Sequence, residues 1–359
     1  MIVVLSEGSF LEERIYMKKK IAILFGGKST EHEVSRVSAS AVLRNIDISK
    51  YDVYPIGITK SGEWFEYTGS VEKIENGQWE KDEYYKKPEG QKVLFNKEVD
   101  VVFPVLHGLC GEDGTVQGLC RLIDIPCVGP NVMSSAVCMD KVYTKYVLEN
   151  FGIKQADYVV VTAIKYSENK DQIIKTIEEK LDYDVFIKPS NSGSSVGITK
   201  AHNKKELMDG IEEALKYDRK VLVEKAINAR EVEVAVLGND KPQAGVPGEI
   251  LPAKEFYDYE AKYEDAESKL MIPANMNDKE LEKIKELATR IYTDLDCAGM
   301  ARVDFLVDKV TSEIYLNEVN TIPGFTKISM YPKMWEAAGK SYKDLISELI
   351  EFAVERNNN

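Results

Sequence analysis

Arg302 and Asp304 stand two apart in an apolar run from Met300 to Val307, and Glu318 and Asn320 stand two apart in a second run. In an extended strand, residues i and i+2 share a face. Residues 305–316 read as a hairpin link, with turn residues at 308–312 between apolar arms. If the strands pair, one face carries an arginine, two carboxylates and an amide. Hard oxygens from Asp, Glu and Asn suit Mg2+, which binds through a few carboxylates plus substrate phosphates. A nearby arginine suits a phosphate or an oxyanion. The plainer reading is a row of surface ion pairs. Against it, the flanks Val303, Phe305, Tyr315, Leu316 and Val319 place the charges on a half-buried sheet, where unpaired charge is expensive.

Two loops add to this chemistry. Lys188-Pro189-Ser190-Asn191-Ser192-Gly193-Ser194-Ser195-Val196-Gly197 follows the apolar strand 184–187. Its N–H and hydroxyl groups can close over phosphate oxygens, and Lys188 can project into the site. A flexible hairpin loop is the alternative. Gly26-Gly27-Lys28-Ser29-Thr30 follows the apolar run Ile21–Phe25. It falls short of a P-loop, because the first glycine of that pattern would be residue 22, which is Ala22 inside the strand. What remains is a turn presenting Glu31 and Glu33 at a helix N-terminus, or simple N-capping by Ser29 or Thr30. Together the three constellations imply a phosphate-handling Mg2+ enzyme without a Walker motif.

The elements that must position these residues follow from periodicity. A strand at 21–25, a helix carrying Val34, Val37, Ala41 and Val42 on one face, and strands at 51–59 and 101–106 predict a small parallel sheet with helices on its faces. Residues 60–98 read as a peripheral excursion. Helical periodicity at 133–150 and 206–217, with strands at 158–164, 185–188 and 220–224, predicts an α+β middle unit. Strands at 231–237, 300–307 and 313–319, with helices at 278–295 and 342–354, form the last. The expected division is an extension at 1–17, outside the fold, then units at 18–131, 132–225 and 226–359.

Composition limits the alternatives. The chain has 359 residues and a formal charge of −13, a poor match to nucleic acid, which needs a basic surface. Five cysteines form no Cys-x-x-Cys pair, so they read as buried thiols of a reducing compartment. No apolar run approaches the ~20 residues that span a bilayer. The opening residues lack the order of a signal peptide.

Seven motifs, met in order, resemble the D-alanine–D-alanine ligase family of the ATP-grasp superfamily over about residues 18–355. They are Gly-Gly-Lys-Ser-Thr-Glu-His-Glu-Val-Ser (26–35), His-Gly-Leu-Cys-Gly-Glu-Asp-Gly-Thr-Val-Gln-Gly (107–118), Met-Asp-Lys (139–141), the Lys188–Gly197 loop, Phe-Tyr-Asp-Tyr-Glu-Ala-Lys-Tyr (256–263), Ala-Arg-Val-Asp-Phe (301–305) and Asn-Glu-Val-Asn-Thr-Ile-Pro-Gly-Phe-Thr (317–326). The resemblance implies a three-domain ATP-grasp architecture, α/β and α+β, with a Rossmann-like N-terminal domain. It implies ATP held by Lys141, Phe186, Lys188, Ser195, Glu224, Lys225, Ile227, Glu231, Phe256 and Lys262. It implies two Mg2+ ions, with Mn2+ as substitute, on Asp304, Glu318 and Asn320. Glu31 would meet the ammonium of the first D-alanine, with Ser194 and Tyr263 bonded to it, and His107 would lie near the carboxylate. Arg302 and the Gly324 N–H would form the oxyanion hole, and Ser329 and Met330 would touch the second D-alanine.

The implied reaction phosphorylates the first D-alanine and then lets the second attack the acyl phosphate, beneath a lid at 257–263 that excludes water. The resemblance leaves open whether Tyr263, Ser194 or phosphate takes the amine proton. Relatives of the vancomycin-resistance type make D-Ala–D-Ser or D-Ala–D-lactate. Met330, which is Arg in many of those, and Lys262-Tyr263 favour D-alanine. A binding module without turnover would have lost metal or oxyanion groups, which are all present here. The resemblance also implies a cytoplasmic homodimer.

Overall fold

The computed structural model describes residues 18–193, 195–251 and 269–357. The expected extension 1–17 and the expected site residues Ser194, Phe256, Lys262 and Tyr263 lie outside them. Three sheets carry the rest. In the first, β1 (Lys19–Gly26) lies parallel to β2 (Tyr51–Ile58) and to β5 (Val101–Pro104), while β3 (Trp64–Tyr67) and β4 (Lys86–Pro88) add an antiparallel edge. Beyond Lys19 and Lys20, strand β1 is an unbroken apolar run and is buried on both faces, as the centre of a parallel arrangement requires. Helix α1 (His32–Asn45) packs on it through Ala39 and Val42.

Residues 60–98 are therefore not peripheral, since they supply two strands. Their polar sequence hides two anchors, because Tyr67 and Trp79 are fully buried and Trp79 meets Phe25 edge-on at 4.9 Å. Short helices α2 (Val71–Glu75) and α3 (Gln91–Phe95) complete this stretch, and α4 (Thr115–Leu122) follows β5.

The helix expected over 133–150 is two, α5 (Val132–Met139) and α6 (Lys141–Asn150). Asp140 stands between them in an extended conformation, and its carboxylate accepts from the N–H groups of Val142 and Tyr143. That is a helix start placed inside an unbroken periodic pattern. Strands β6 (Tyr158–Thr162), β7 (Val185–Pro189), β8 (Thr199–Ala201) and β9 (Lys220–Lys225) form an antiparallel sheet in the order β6-β9-β7-β8. Helices α7 (Ala163–Leu181) and α8 (Lys204–Ala214) back it with Ile174, Ile177, Leu207 and Ile211.

The third sheet runs from β10 (Ala229–Gly238), β11 (Gln243–Ala244), β12 (Gly248–Leu251) and β13 (Lys269–Met271) to β14 (Gly299–Asp308) and β15 (Ile314–Asn320). Its path is β13-β12-β10-β14-β15, with β11 beside β10. Helix α9 (Asp278–Asp294) opens on a reciprocal capping box between Asn277 and Glu280. Helices α10 (Met330–Ala337) and α11 (Tyr342–Asn357) end the described chain.

One core joins the first and third sheets. Ile21, Phe25 and Phe103 share it with Ala235, Met300, Phe325, Tyr331 and Ile346. Phe325 is fully buried, 6.0 Å from the Phe103 ring and 5.5 Å from Tyr331. Removing such a side chain costs about 3–5 kcal/mol. The architecture is thus the α/β and α+β mixture expected from the sequence. No disulfide joins the five cysteines. Four are buried and Cys110 is exposed, against the expectation of burial for all.

Candidate active site

Strands β14 and β15 pair with Arg302 opposite Asn320 and Asp304 opposite Glu318, so the four residues do share one sheet face. Arg302 forks onto Asp304, with Nε to Oδ1 at 2.7 Å and Nη2 to Oδ2 at 2.6 Å. The Asn320 amide donates to Asp304 Oδ2 at 2.9 Å. Strand β10 brings Glu233 opposite Asp304, and its carboxylate lies 3.1 Å from Arg302 Nε. Burial disfavours the charged guanidinium, but Asp304 and Glu233 outweigh it and hold Arg302 above its ordinary value. Glu233 was missed, although it lies two residues from Glu231 on the same strand.

The two expected phosphate lysines lie beside this face. Lys141, at the start of α6, donates to the Ser192 carbonyl at 2.8 Å and sits 3.4 Å from Glu318. Lys188, at the end of β7, is 2.6 Å from Glu224 and donates to Asn317 Oδ1 at 3.1 Å. Lys145, four residues beyond Lys141 and so on the same helix face, reaches the other oxygen of Glu224 at 2.7 Å. Glu224 is buried. Burial alone would raise its pKa, yet Lys188 and Lys145 bring it down to about 2. Lys145 and Asn317 were not singled out in the sequence, though the i,i+4 spacing was a usable signal for the former.

A cavity of about 800 Å³ opens between the second and third sheets. Phe186, Lys188, Glu224, Lys225, Ile227 and Glu231 line it, which gathers six of the expected nucleotide residues around one cavity. Its size suits a drug-sized ligand. Leu306 and Leu316 give it an apolar floor. Lys225 is held by the Tyr183 carbonyl at 2.9 Å. Ser195 takes a positive φ of 60° in the loop after β7, a backbone conformation that a side chain normally avoids.

A second cavity of about 30 Å³ lies among Glu231, Glu233, Asp304, Asn317 and Glu318. Among the described residues no three carboxylate, imidazole or thiol groups converge on one point. Asp304 faces Arg302, and Glu318 faces Lys141. The donors are nevertheless hard oxygens around a space of small-ion size, so they fit Mg2+ in kind.

The remaining expected residues collect at the junction of the first and third sheets. Glu31 is buried and ends the turn after β1 as the N-cap position of α1, while Ser29 accepts its N–H. Capping by Ser29 or Thr30 side chains is therefore not how this helix starts. Gly108, with φ +70°, and Gly193 both press on the Glu31 carboxylate so closely that a Cβ at either would collide with it. Two glycines from different loops thus make room for one acid.

His107 is buried, with Nδ1 3.1 Å from the Ile322 carbonyl and Nε2 2.8 Å from Ser38 Oγ. Burial takes its pKa down to about 4, against the backbone bond to Ile322. The ring is neutral at pH 7, and both nitrogens are committed to protein partners. Gly324 lies against Ser329, whose hydroxyl would be 2.9 Å from a Cβ there. Ser329 Oγ in turn accepts the Thr326 N–H at 3.0 Å. Met330 is buried in the shared core, and its methyl end occupies the space that a Cβ on Gly248 would need.

Known proteins match this arrangement. The N-terminal family model of D-ala D-ala ligase covers residues 20–130 and the C-terminal one covers residues 147–351. The chain is 77% identical over 342 residues to a D-alanine–D-alanine ligase of Clostridium novyi, covering 95% of this chain and 100% of that protein. It is 75% identical, with the same coverage, to a D-alanine–D-alanine ligase of Clostridium acetobutylicum. Among solved structures, the VanG D-Ala:D-Ser ligase of Enterococcus faecalis superposes with a TM-score of 0.85 at 44% identity, covering 94% of this chain and 100% of that one. The D-alanine–D-alanine ligase of Coxiella burnetii gives 0.82 at 34% identity, covering 95% and 96%. With both halves of the family model matched in order and relatives this close over nearly the whole chain, the chain belongs to the D-alanine–D-alanine ligase family, with its ATP-grasp fold.

Proposed function

We propose that the protein joins two D-alanines into D-alanyl-D-alanine, with ATP converted to ADP and phosphate, as a step of peptidoglycan precursor synthesis. The observation that carries this reading is the cross-strand quartet of Arg302, Asp304, Glu318 and Asn320 beside Lys141, with Lys188 in the lining of the 800 Å³ cavity. A carboxylate is a poor acyl donor, so the γ-phosphoryl group moves first to the carboxylate of D-alanine, which Glu31 holds by its ammonium. Lys141, Lys188 and Arg302 offset the negative charge that gathers there. Bound at Asp304, Glu318 and Asn320, two Mg2+ ions would neutralise phosphate charge and fix its geometry.

The amine of the second D-alanine then attacks the acyl carbon. Arg302 and the Gly324 N–H hold the oxyanion, and the C–O bond to phosphate breaks as the amine gives its proton to Tyr263, Ser194 or the departing phosphate. Ser329 and Met330 contact the second amino acid. Met330 is apolar and buried, which supports D-alanine over D-serine at that position. The adenine lies against Phe186, Lys225 and Ile227, and the ribose at Glu231.

In the same reading Ser194, Ser195, Phe256, Lys262 and Tyr263 close over the phosphates. The chain divides into units at 18–131, 132–225 and 226–359, and it acts as a homodimer in the cytoplasm. Among the described residues no helix is long and apolar enough to cross a membrane.

Incubation with ATP, Mg2+ and equal D-alanine and D-serine tests the reading by product mass. The expected product is mainly D-alanyl-D-alanine, with equimolar phosphate. Mostly D-alanyl-D-serine, or no phosphate release, would overturn it.

A further inference from the structure

Gly324 is fastened on both sides by groups from the first third of the chain. On one side, Ile322 gives its N–H to Glu112 Oε1 at 3.2 Å. The Ile322 carbonyl faces His107 Nδ1 at 3.1 Å. A carbonyl can only accept, so the neutral His107 carries its proton on Nδ1 and accepts at Nε2 from the Ser38 hydroxyl, 2.8 Å away. On the other side, the Phe325 N–H donates to that same Ser38 oxygen at 3.2 Å. Glu112 closes the circuit, because its Oε2 accepts the Gly108 N–H at 2.8 Å. Each atom in the chain of bonds has one consistent role.

We propose that Glu112 is a positioning residue, which, with His107 and Ser38, clamps residues 322–325 so that the Gly324 N–H points at the acyl carbonyl. The proposal rests on the reading of Gly324 as an oxyanion donor. The turn at residues 107–112 thereby belongs to the third sheet's site as much as to the first sheet. Burial first, and then the neighbouring Glu31, push the Glu112 carboxyl well above the usual carboxylate range. The two backbone N–H bonds pull the other way, since they favour the ionised form, but they do not outweigh burial. Gln117 supports the turn from below, donating to the Gly111 carbonyl at 2.7 Å. Main-chain donors are useful only when aimed, and a displacement near 1 Å costs on the order of 100-fold in rate.

Glu112→Gln keeps the shape but turns an amide donor toward one of the two N–H groups. Two rates separate aiming from general damage. Scrambling of 18O from the β–γ bridge of labelled ATP reports acyl phosphate formation, and dipeptide release reports the later attack. The expected result is a fall of about 10- to 100-fold in dipeptide release. Isotope scrambling, the KM for ATP and the thermal midpoint should stay close to wild type. Equal loss of both rates, or no loss of either, would overturn the proposal. If Glu112→Gln does not fold, Ser38→Ala releases the Phe325 side and must show the same split. A wild-type enzyme that makes no dipeptide from D-alanine overturns the functional reading itself. An active wild type with an unimpaired Glu112→Gln overturns only the clamp.

Discussion

Two regions of the site are built on opposite electrostatic plans. In the charged region beside the nucleotide cavity, charge answers charge. Glu224 is bracketed by Lys145 and Lys188, and Arg302 by Asp304 and Glu233. Around Gly324, the fastening groups are a neutral imidazole, a hydroxyl and a raised-pKa acid, and they hold main-chain atoms. The difference teaches which parts are meant to change partners. A paired ion in a cavity wall can exchange its partner for a phosphate at modest cost. A group bonded to backbone cannot leave without moving the chain.

The largest effect should come from the geometry of the charged region. Arg302→Lys retains the charge but loses the fork onto Asp304. Steady-state assays should show kcat falling by about 100-fold or more, with ATP binding little changed. A variant within threefold of wild type would mean that charge alone suffices there.

A smaller effect is expected at Lys145→Met, which leaves Glu224 to Lys188 alone. Lys188 is then less available to phosphate, so the KM for ATP should rise about 10-fold with kcat nearly unchanged, on the order of one lost charge-assisted bond. A drop in kcat without a KM change would erase the contrast between exchangeable and fixed partners.

The smallest effect concerns stability against pH. His107 has a folded pKa of about 4, below its ordinary 6.5. The unfolded chain therefore binds the proton more readily, and stability present above pH 6.5 is lost as pH falls toward 4. Glu224, at about 2 instead of 4.5, contributes above 4.5 and loses that contribution only below it. Glu112, whose carboxyl is raised, gains stability as pH falls through this window in both proteins, so between pH 6.5 and 4.5 the thermal midpoint of wild type should fall relative to that of His107→Gln. Parallel curves would show that the imidazole is not what titrates.

Much of the charged region was legible in the sequence, because strand periodicity is 2 and carries Arg302, Asp304, Glu318 and Asn320 to one face without tertiary knowledge. The Lys188 loop was legible for the same reason, as it follows an apolar strand. The clamp was not. Glu112 stands in a recognised motif, but its partner Ile322 is 210 residues away and is used through its backbone, which leaves no trace in side-chain spacing. The pressing of Gly108 and Gly193 on Glu31 was hidden likewise, since three separate loops must meet. Helix α7 escaped because its polar surface outweighs the few buried positions, Tyr166, Ile174, Ile177 and Leu181. The strands β3 and β4 were masked by the charges around Tyr67 and Trp79.

Arg356, near the end of α11, donates to the carbonyls of Gly129 at 2.7 Å and Cys127 at 2.9 Å. Leu345, Ile346 and Leu349 of that helix share a core with Ile21 and Phe25 of the first strand. During synthesis, the opening sheet therefore emerges long before the helix that covers it. At about 5–20 residues per second, the ribosome needs roughly ten seconds to three-quarters of a minute to deliver that cover. Until then the nascent chain shows an apolar face, which makes this interval the natural moment for a chaperone to engage it and the last helix a poor place to truncate.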